Sequence, residues 1–570
     1  MRPFYAAAGA AVALGVLASG CAMPAAGGAG GPGSGTGAGL GTDAGDRVVL
    51  ADSAPLGEFN PVSGYGSTGV SPLYEGLLRP YAADDEHLPD LVPALAAAEP
   101  EVSADGLTWT IRLREGVRFH DGSALDSSDV AATYRAVVDP ASGSPIASDY
   151  TSIAGVETPD PLTVRFRLDA PDPGMPARLL LGIAPSERLA PGPAAASTLN
   201  TDPVGTGPYQ LERLSPGEAV LTGNPDHRDG APEVDTLVLK SVPDENARAQ
   251  MVLTGEVDGT VLPPTLASGL AGRDGTELVS VNSADWRAVA LPMAHPFTGD
   301  PAVRRALAAA IDRHSLVEHV LAGHGRPASS PITDAYPEHE PGTDAAVGAD
   351  SDPAARQADT RELLAAAGWR PGPDGVLTRR AGAPNGTAPN GTAPAGAPAR
   401  AELVLAYPAA DSLRRELASA VADQLRGLGV AVELWGAKWD EIEARSGEVA
   451  VLLGGGDNPF TVDTQVHRTL HSATRTSGPL DNPGGYANQD VDRALGAARH
   501  TADPVERTRL YRRAQQAYLR DPGHLFLVTL EHTYLVRDTG HTGPAPILEP
   551  HVHGATWGPW WAIHRWTARP

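Results

Sequence analysis

Cysteine is nearly absent from this 570-residue chain: Cys21 stands alone. That excludes an intrachain disulfide and any cysteine-ligated metal centre. Beyond the first twenty residues no apolar run is long enough to cross a bilayer as a helix. No basic stripe is present, and the formal charge is −25 at pH 7. Phosphate backbones therefore find no counter-charge, which excludes nucleic acid as a partner. The charge suits a solvated body outside the cell. No G-x-S-x-G elbow occurs, and Ser, His and Asp residues form no recognisable nucleophilic site. Arginine greatly outnumbers lysine and Ala, Gly and Pro are abundant, a bias that reflects a GC-rich coding sequence. The remaining composition, 42% hydrophobic and 20% charged, is that of a globular protein. About 520 residues are too many for one core, so two or three domains are expected.

The position of the lone cysteine is informative. Ala6–Leu17 is apolar and uncharged after Arg2, too short to span a membrane but suited to the apolar stretch of a secretory leader. Leu17-Ala18-Ser19-Gly20 then leads straight into Cys21. The pattern resembles a bacterial lipobox, with Ala18 where Leu is commoner. The resemblance implies a lipidated Cys21 at the mature N-terminus, because an acylated thiol is an anchor and a bare one outside the cell is a liability. Residues 22–46, rich in Gly and Ala, cannot form a core and read as a flexible tether. The expected location is the outer face of the cell membrane.

Along the body, apolar alternation in 105–122 predicts a strand, a turn at Glu115-Gly116-Val117 and a second strand ending at Phe119. Residues 162–168 alternate likewise. A helix is expected after Ser127 or Ser128 as cap, with Pro140 beyond its end. Asp300-Pro301 starts another helix, which Gly323 ends, with Val303, Leu307, Ala310 and Ile311 on one face. Leu413, Leu417, Val421 and Leu425 mark a third, and Asp503-Pro504 starts a fourth. Strands in 401–408, 430–436 and 448–456 surround the third helix, an α/β arrangement. Residues 382–400 form a low-complexity insertion expected to be disordered, whose two Asn-Gly-Thr triplets are expected to stay unglycosylated.

Eight stretches then occur in one order: "LYEGLLRP" (73–80), "SADGLTWTIRLREGVRFHDGSALDSSDV" (103–130), "PVGTGPYQL" (203–211), "NPDHRDGAPEVD" (224–235), "DPAVRRALAAAIDR" (300–313), "LLAAAGW" (363–369), "NPGGYANQDVD" (482–492) and "ERTRLYRRAQQ" (506–516). In that order they resemble the extracellular solute-binding proteins of ABC importers, family 5, the peptide- and nickel-binding class. The resemblance implies an α/β fold of the type II periplasmic-binding-protein-like kind (cluster C), with two lobes, a hinge and three domains. Domain I would comprise 47–82, 201–285 and 521–570, domain II 83–200, and domain III 286–520 with the insertion. It implies a monomer that captures a small solute, a short peptide first and a metal chelate or other polar metabolite second. The solute passes to a membrane permease, with no cofactor and no chemistry on the ligand.

The motifs themselves are mostly architectural, and Arg304 and Asp312 are read as fixing a helix. By the resemblance, the loop holding Tyr65 and Gly66 faces the cleft. So does "GGGDNPF" (454–460), where Asp457 is placed to pair with a ligand ammonium and Asn458 lies beside it. The family has Trp near the start of this segment. Here Gly454-Gly455-Gly456 leaves a roomier pocket. Trp286, Trp435 and Trp439 are candidate aromatic walls, with core packing as the alternative. "GYGSTG" (64–69) matches a dinucleotide-loop pattern but leads toward a hairpin, so it reads as a turn at the cleft. His467 and His471 in "HRTLH" lie one helical turn apart, yet Arg468 stands where a zinc protease has Glu, and an exposed pair is expected. "HVH" at 551–553 is a weak chelator, and no metal site is expected. The aromatic "WGPWWAIHRW" (557–566) is read as packing.

Overall fold

Two long strands, Thr276–Ala290 and His524–Arg537, run antiparallel through the main sheet. Their Val, Thr and aromatic residues suit a strand covered on both faces, and the run from His524 to Leu530 is buried throughout. The computed structural model describes residues 47–343, 352–380, 398–456, 458–473, 478 and 480–570. The leader with Cys21, the tether, Asp457 and residues 381–397 lie outside the described residues. No helix among the described residues is long and apolar enough to cross a membrane.

On one side of this strand pair, Arg47–Asp52 lies parallel to Thr236–Ser241 and Gly259–Leu262. On the other, Glu402–Pro408 lies parallel to Ala431–Ala437 and Ala450–Gly455. The long strands join these groups into one sheet of eleven strands among the described residues. Their register shifts between Asn282 and Trp286. Up to Asn282 the first strand pairs only with its long partner, and from Trp286 it also pairs with Ala450–Gly455. A separate antiparallel sheet holds Glu101–Val102, Thr108–Arg112, Thr163–Leu168 and Ile153–Asp160. Helix Ser127–Val138 packs on it and closes a core of its own, where Tyr134 meets Phe166 edge-on at 4.8 Å.

Most sequence expectations hold. Helices Ser412–Arg426 and Pro504–Arg520 start at Asp411 and Asp503, and Leu417, Val421 and Leu425 are buried. Four details differ. Helix Ser127–Val138 is capped by Asp126, whose carboxylate accepts from the Ser128 amide while Asp129 reaches back to the Asp126 amide. A carboxylate one residue earlier closes this reciprocal box, so neither serine is needed. No second strand reaches Phe119; only an isolated bridge joins Arg118 to Ala124. The helix from Pro301 stops at Ala310 and a new one, Arg313–His319, begins with Asp312 as its cap. Ile311 takes extended backbone at the break. Arg304 is buried and donates to the carbonyls of Pro522 and Thr298, which tethers the first helix to the start of His524–Arg537. The last residues of the low-complexity insertion are ordered: Ala399–Arg400 pairs with Leu377–Arg379.

Four of the sequence motifs meet at one buried carboxylate. Glu75 accepts from Arg228 Nε and Nη2 at 3.0 and 2.8 Å and from Thr206 Oγ1 at 3.2 Å. His120, from the longest motif, joins the same junction through the Gly207 carbonyl at 3.0 Å. Burial opposes charge on Glu75, but His227 and Arg228 bring its carboxyl down from 4.5 to about 2. Glu75→Gln removes one of the two carboxylates paired with Arg228, leaving Asp229 at 2.8 Å, and should cost about 1–3 kcal/mol in urea unfolding. Because the folded value is depressed, the wild-type contribution is complete above pH 4.5 and lost as pH falls toward 2. Acid titration of stability should therefore be flatter in Glu75→Gln across that window.

Candidate functional site

A cavity of about 560 Å³ opens where six chain segments converge. Its walls come from the loop 52–70, the turn at 145–150, Arg178, Leu239 and Lys240, residues 458–468 and the C-terminal stretch 552–557. The first wall is a series of tight turns. Asn60 caps the short helix Pro61–Ser63 through the Val62 amide, and Gly64 and Gly66 take positive φ of 97° and 66°. The following chain forms the hairpin Leu78–Tyr81 with Asp90–Pro93. "GYGSTG" is thus a turn lining the cavity, as the sequence suggested. Tyr65 sits in this wall, its ring edge-on to Phe59 at 5.2 Å and Tyr74 at 6.2 Å. Burial pushes its hydroxyl pKa up, so it stays protonated. Gly66 and Asn458 also line the cavity.

The basic side chains of the wall are already committed to acids. Arg178 lies 3.2 Å from Asp172, Lys240 3.0 Å from Glu256 and Arg468 2.8 Å from Asp481. Asp52 accepts from the Ala555 amide at 2.8 Å, tying the first strand to the C-terminal wall. Glu58 is exposed at the rim. Apolar and aromatic residues, with Phe59, Ile146, Tyr150 and Trp557 prominent and Val552 66% exposed, share the rest of the wall with polar ones such as Ser67, Thr68, Asp149 and Thr556.

A second cavity of about 300 Å³ shares Thr464 and Arg468 with the first. Trp286, Trp439 and Arg414 line it together with Gly454, Gly455 and Gly456. The room left by the three glycines is largely occupied, which corrects the expectation of a roomier pocket. A Cβ at Gly454 would meet Arg287, Arg414 and His551 within 3 Å, and one at Gly455 would lie 2.3 Å from the Trp286 ring. Trp286 is therefore both core and wall: it packs edge-on against Phe526 at 5.2 Å beneath Gly455 and touches the smaller cavity. Trp435 borders neither cavity. It stands on the edge strand Ala431–Ala437, under the Arg445 guanidinium at 4.8 Å. Asp457 lies outside the described residues.

Beneath the cavities, at the register shift, lies a cluster of buried ionisable groups. Asp285 has no exposed surface. It pairs with Arg287, with His551 Nδ1 at 2.7 Å and with His532 Nε2 at 3.1 Å. His532 Nδ1 lies 2.5 Å from Glu549, which also accepts from the Tyr534 hydroxyl at 2.9 Å. His553 stacks on His532 at 3.5 Å and reaches the large cavity. Burial alone would raise the Asp285 carboxyl, yet Arg287, His551 and His532 hold it well below the carboxylate range. Sequence reasoning missed this cluster and the C-terminal wall. "HVH" was the one local signal, and spacing does not reveal that it meets Asp285 across 266 residues.

His467 and His471 are partly buried, not exposed, and stack at 4.4 Å. His467 Nε2 accepts from Arg499 at 3.2 Å, and burial together with that guanidinium lowers its pKa to about 4. A cation beside Arg499 is disfavoured. Trp557 and Trp560 are buried, in keeping with packing.

The family model "Bacterial extracellular solute-binding proteins, family 5 Middle" matches residues 90–477. Protein XP55 of Streptomyces lividans is 37% identical over 501 residues, covering 87% of this chain and 86% of that protein. The glutathione-binding protein GsiB of Salmonella paratyphi A is 30% identical over 445 residues, covering 75% and 78%. Among solved structures, NikZ from Campylobacter jejuni in complex with Ni(L-His) superposes with TM-score 0.75 at 23% identity, covering 92% of this chain and 99% of that one. The oligopeptide-binding protein AppA from Bacillus subtilis, in complex with a nonapeptide, gives 0.70 at 20% identity over the same shares. The chain belongs to the family 5 extracellular solute-binding proteins and has their type II α/β fold. It is a binding protein of the ABC-transporter class, not an enzyme.

Packing around the glycine trio is directly testable. Gly455→Ala places a methyl group against the buried Trp286 ring. Overpacking of this kind costs about 1–3 kcal/mol. The urea midpoint should fall by the corresponding amount with an unchanged slope.

Proposed function

We propose that the chain is a lipid-anchored receptor that captures a short peptide in the large cavity and delivers it to an ABC permease. The observation that carries this reading is the cavity itself, of about 560 Å³ and walled by six separated segments. Its volume falls within the roughly 300–1,000 Å³ usual for small-molecule sites. A cavity assembled from loops of separate sheets closes and opens by hinge motion, the expected behaviour of a binding protein. The register shift at 282–286 is the natural hinge, with domains I and II on one side and domain III on the other. The domain boundaries at 82, 200, 285 and 520 remain part of this proposal.

Relatives named for glutathione and for peptides support a peptide solute. Both classes carry an ammonium and a carboxylate. The committed pairing of Arg178, Lys240 and Arg468 leaves the wall without a surplus of cations, which favours the ammonium end as the anchored one. Asp457 is the proposed partner of that ammonium, with Tyr65, Gly66 and Asn458 in the wall around it and Trp286 deeper in the side cavity.

Native mass spectrometry of the gently purified chain should reveal a peptide-sized added mass that leaves on denaturation. Titration with the recovered solute should then weaken by about tenfold or more in Asp457→Asn, since a charge-assisted hydrogen bond contributes about 1.5–3 kcal/mol. Unchanged affinity for an amine-bearing solute would remove Asp457 from the site. The anchor is tested separately: Cys21→Ser should move the protein from the membrane fraction to the medium and abolish incorporation of labelled fatty acid.

A further inference from the structure

We infer that Asp285, His532 and His553 form a built-in site for a borderline divalent cation such as Ni²⁺, Zn²⁺, Co²⁺ or Cu²⁺, at the floor of the cleft. One ligating atom from each residue lies within 4.8 Å of the other two. Two imidazoles and one carboxylate are a donor set for these ions, whereas Ca²⁺ and Mg²⁺ prefer oxygen alone.

The stronger argument is how the three are held. A ligating histidine has its other ring nitrogen engaged by a carboxylate or a backbone carbonyl, which fixes the ring and raises its basicity. Both histidines have that partner. His532 Nδ1 is 2.5 Å from Glu549, itself held by Tyr534, and His553 Nδ1 is 2.8 Å from the His551 carbonyl. On His553 this leaves Nε2 for a cation, and on His532 an ion would take the place of the proton now shared between Nε2 and Asp285 Oδ2 at 3.1 Å. Asp285 is oriented by Arg287 and His551 on Oδ1, which leaves Oδ2 facing His532. Glu549 offsets the charge of Arg287 beside the ion. By contrast, the i, i+4 pair His467 and His471 has Arg499 on the nitrogen a metal would need.

Asp285 and His532 are buried, and His553 faces the large cavity. Ligand atoms about 2.0–2.1 Å from a tetrahedral ion lie roughly 3.3 Å apart, so the triad must contract from 4.8 Å. His553 has to swing off its stack on His532 to do this, and Gly554, at φ 144°, follows it directly. A three-residue set leaves coordination positions vacant toward the cavity. An amine or carboxylate of the solute fits them, and this last step alone rests on the function proposed above.

The test uses the full chain, stripped with EDTA and titrated by calorimetry with NiCl₂ and, separately, ZnSO₄. One ion per chain is expected, with His553→Ala weakening it beyond the roughly 10–100-fold typical of losing a supporting contact, and Glu549→Gln falling within that range. Metal-free His553→Ala should melt with wild type. Co²⁺ bound to the wild type should give visible ligand-field bands that His553→Ala removes, a readout that needs no variant of the buried residues. His467→Ala with His471→Ala should change nothing. No stoichiometric ion, an affinity indifferent to His553, or loss in the His467/His471 variant would overturn the site. Solute retention by the metal-free wild type, measured by native mass spectrometry in parallel, separates that failure from failure of the binding-protein reading.

Discussion

Asp285 is a fully buried carboxylate, and the arrangement of the cleft depends on keeping it satisfied. A bare charge in that position would cost several kcal/mol. The fold meets the cost by bringing Arg287 from the same strand, His532 from the other long strand and His551 from the C-terminal segment to one point. Glu549 and Tyr534 complete the set. These partners come from three separate stretches, so the cluster ties together the two strands that carry the sheet and the segment that forms one wall of the cavity.

The register shift sits in the same place for a physical reason. Residues 283–285 leave the regular ladder between Asn282 and Trp286. A bulge re-aims side chains and increases local twist. It lets Asp285 and Arg287 gather their partners while Trp286 turns under Gly455. One irregularity thus sets the ionic cluster, the floor of the smaller cavity and the joint between the two parallel groups of strands. The glycine trio makes this possible, since side chains at 454–456 would expel the arginines and the indole.

Much of the architecture was legible in local sequence. Asp-Pro starts, fourfold leucine spacing and alternating strands each encode an element through nearest neighbours, and those elements formed. Asp312 defeated the reading of a single helix, because a good cap inside a helical pattern begins a new helix when the backbone breaks before it. Asp126 outcompeted the serines beside it for the same kind of reason. Among site residues, Tyr65, Gly66 and Asn458 line the large cavity, Trp286 lines the small one, and Trp435 lies on an edge strand away from both. An indole reads alike in a core and in a wall, so only the strand order separates Trp286 from Trp435.

The sequence by itself determined the class of protein, the α/β elements and the turn at 64–69, because motif order, periodicity and glycine positions act over a few residues. The tertiary structure alone decided which distant residues share a site. Glu75 collects Thr206 and Arg228, Asp52 meets Ala555, and Asp285 meets His532 and His551 across more than a hundred residues in every case. Such pairings are set by strand order and by the cost of leaving buried charge unpaired. Neither leaves a local trace in the chain.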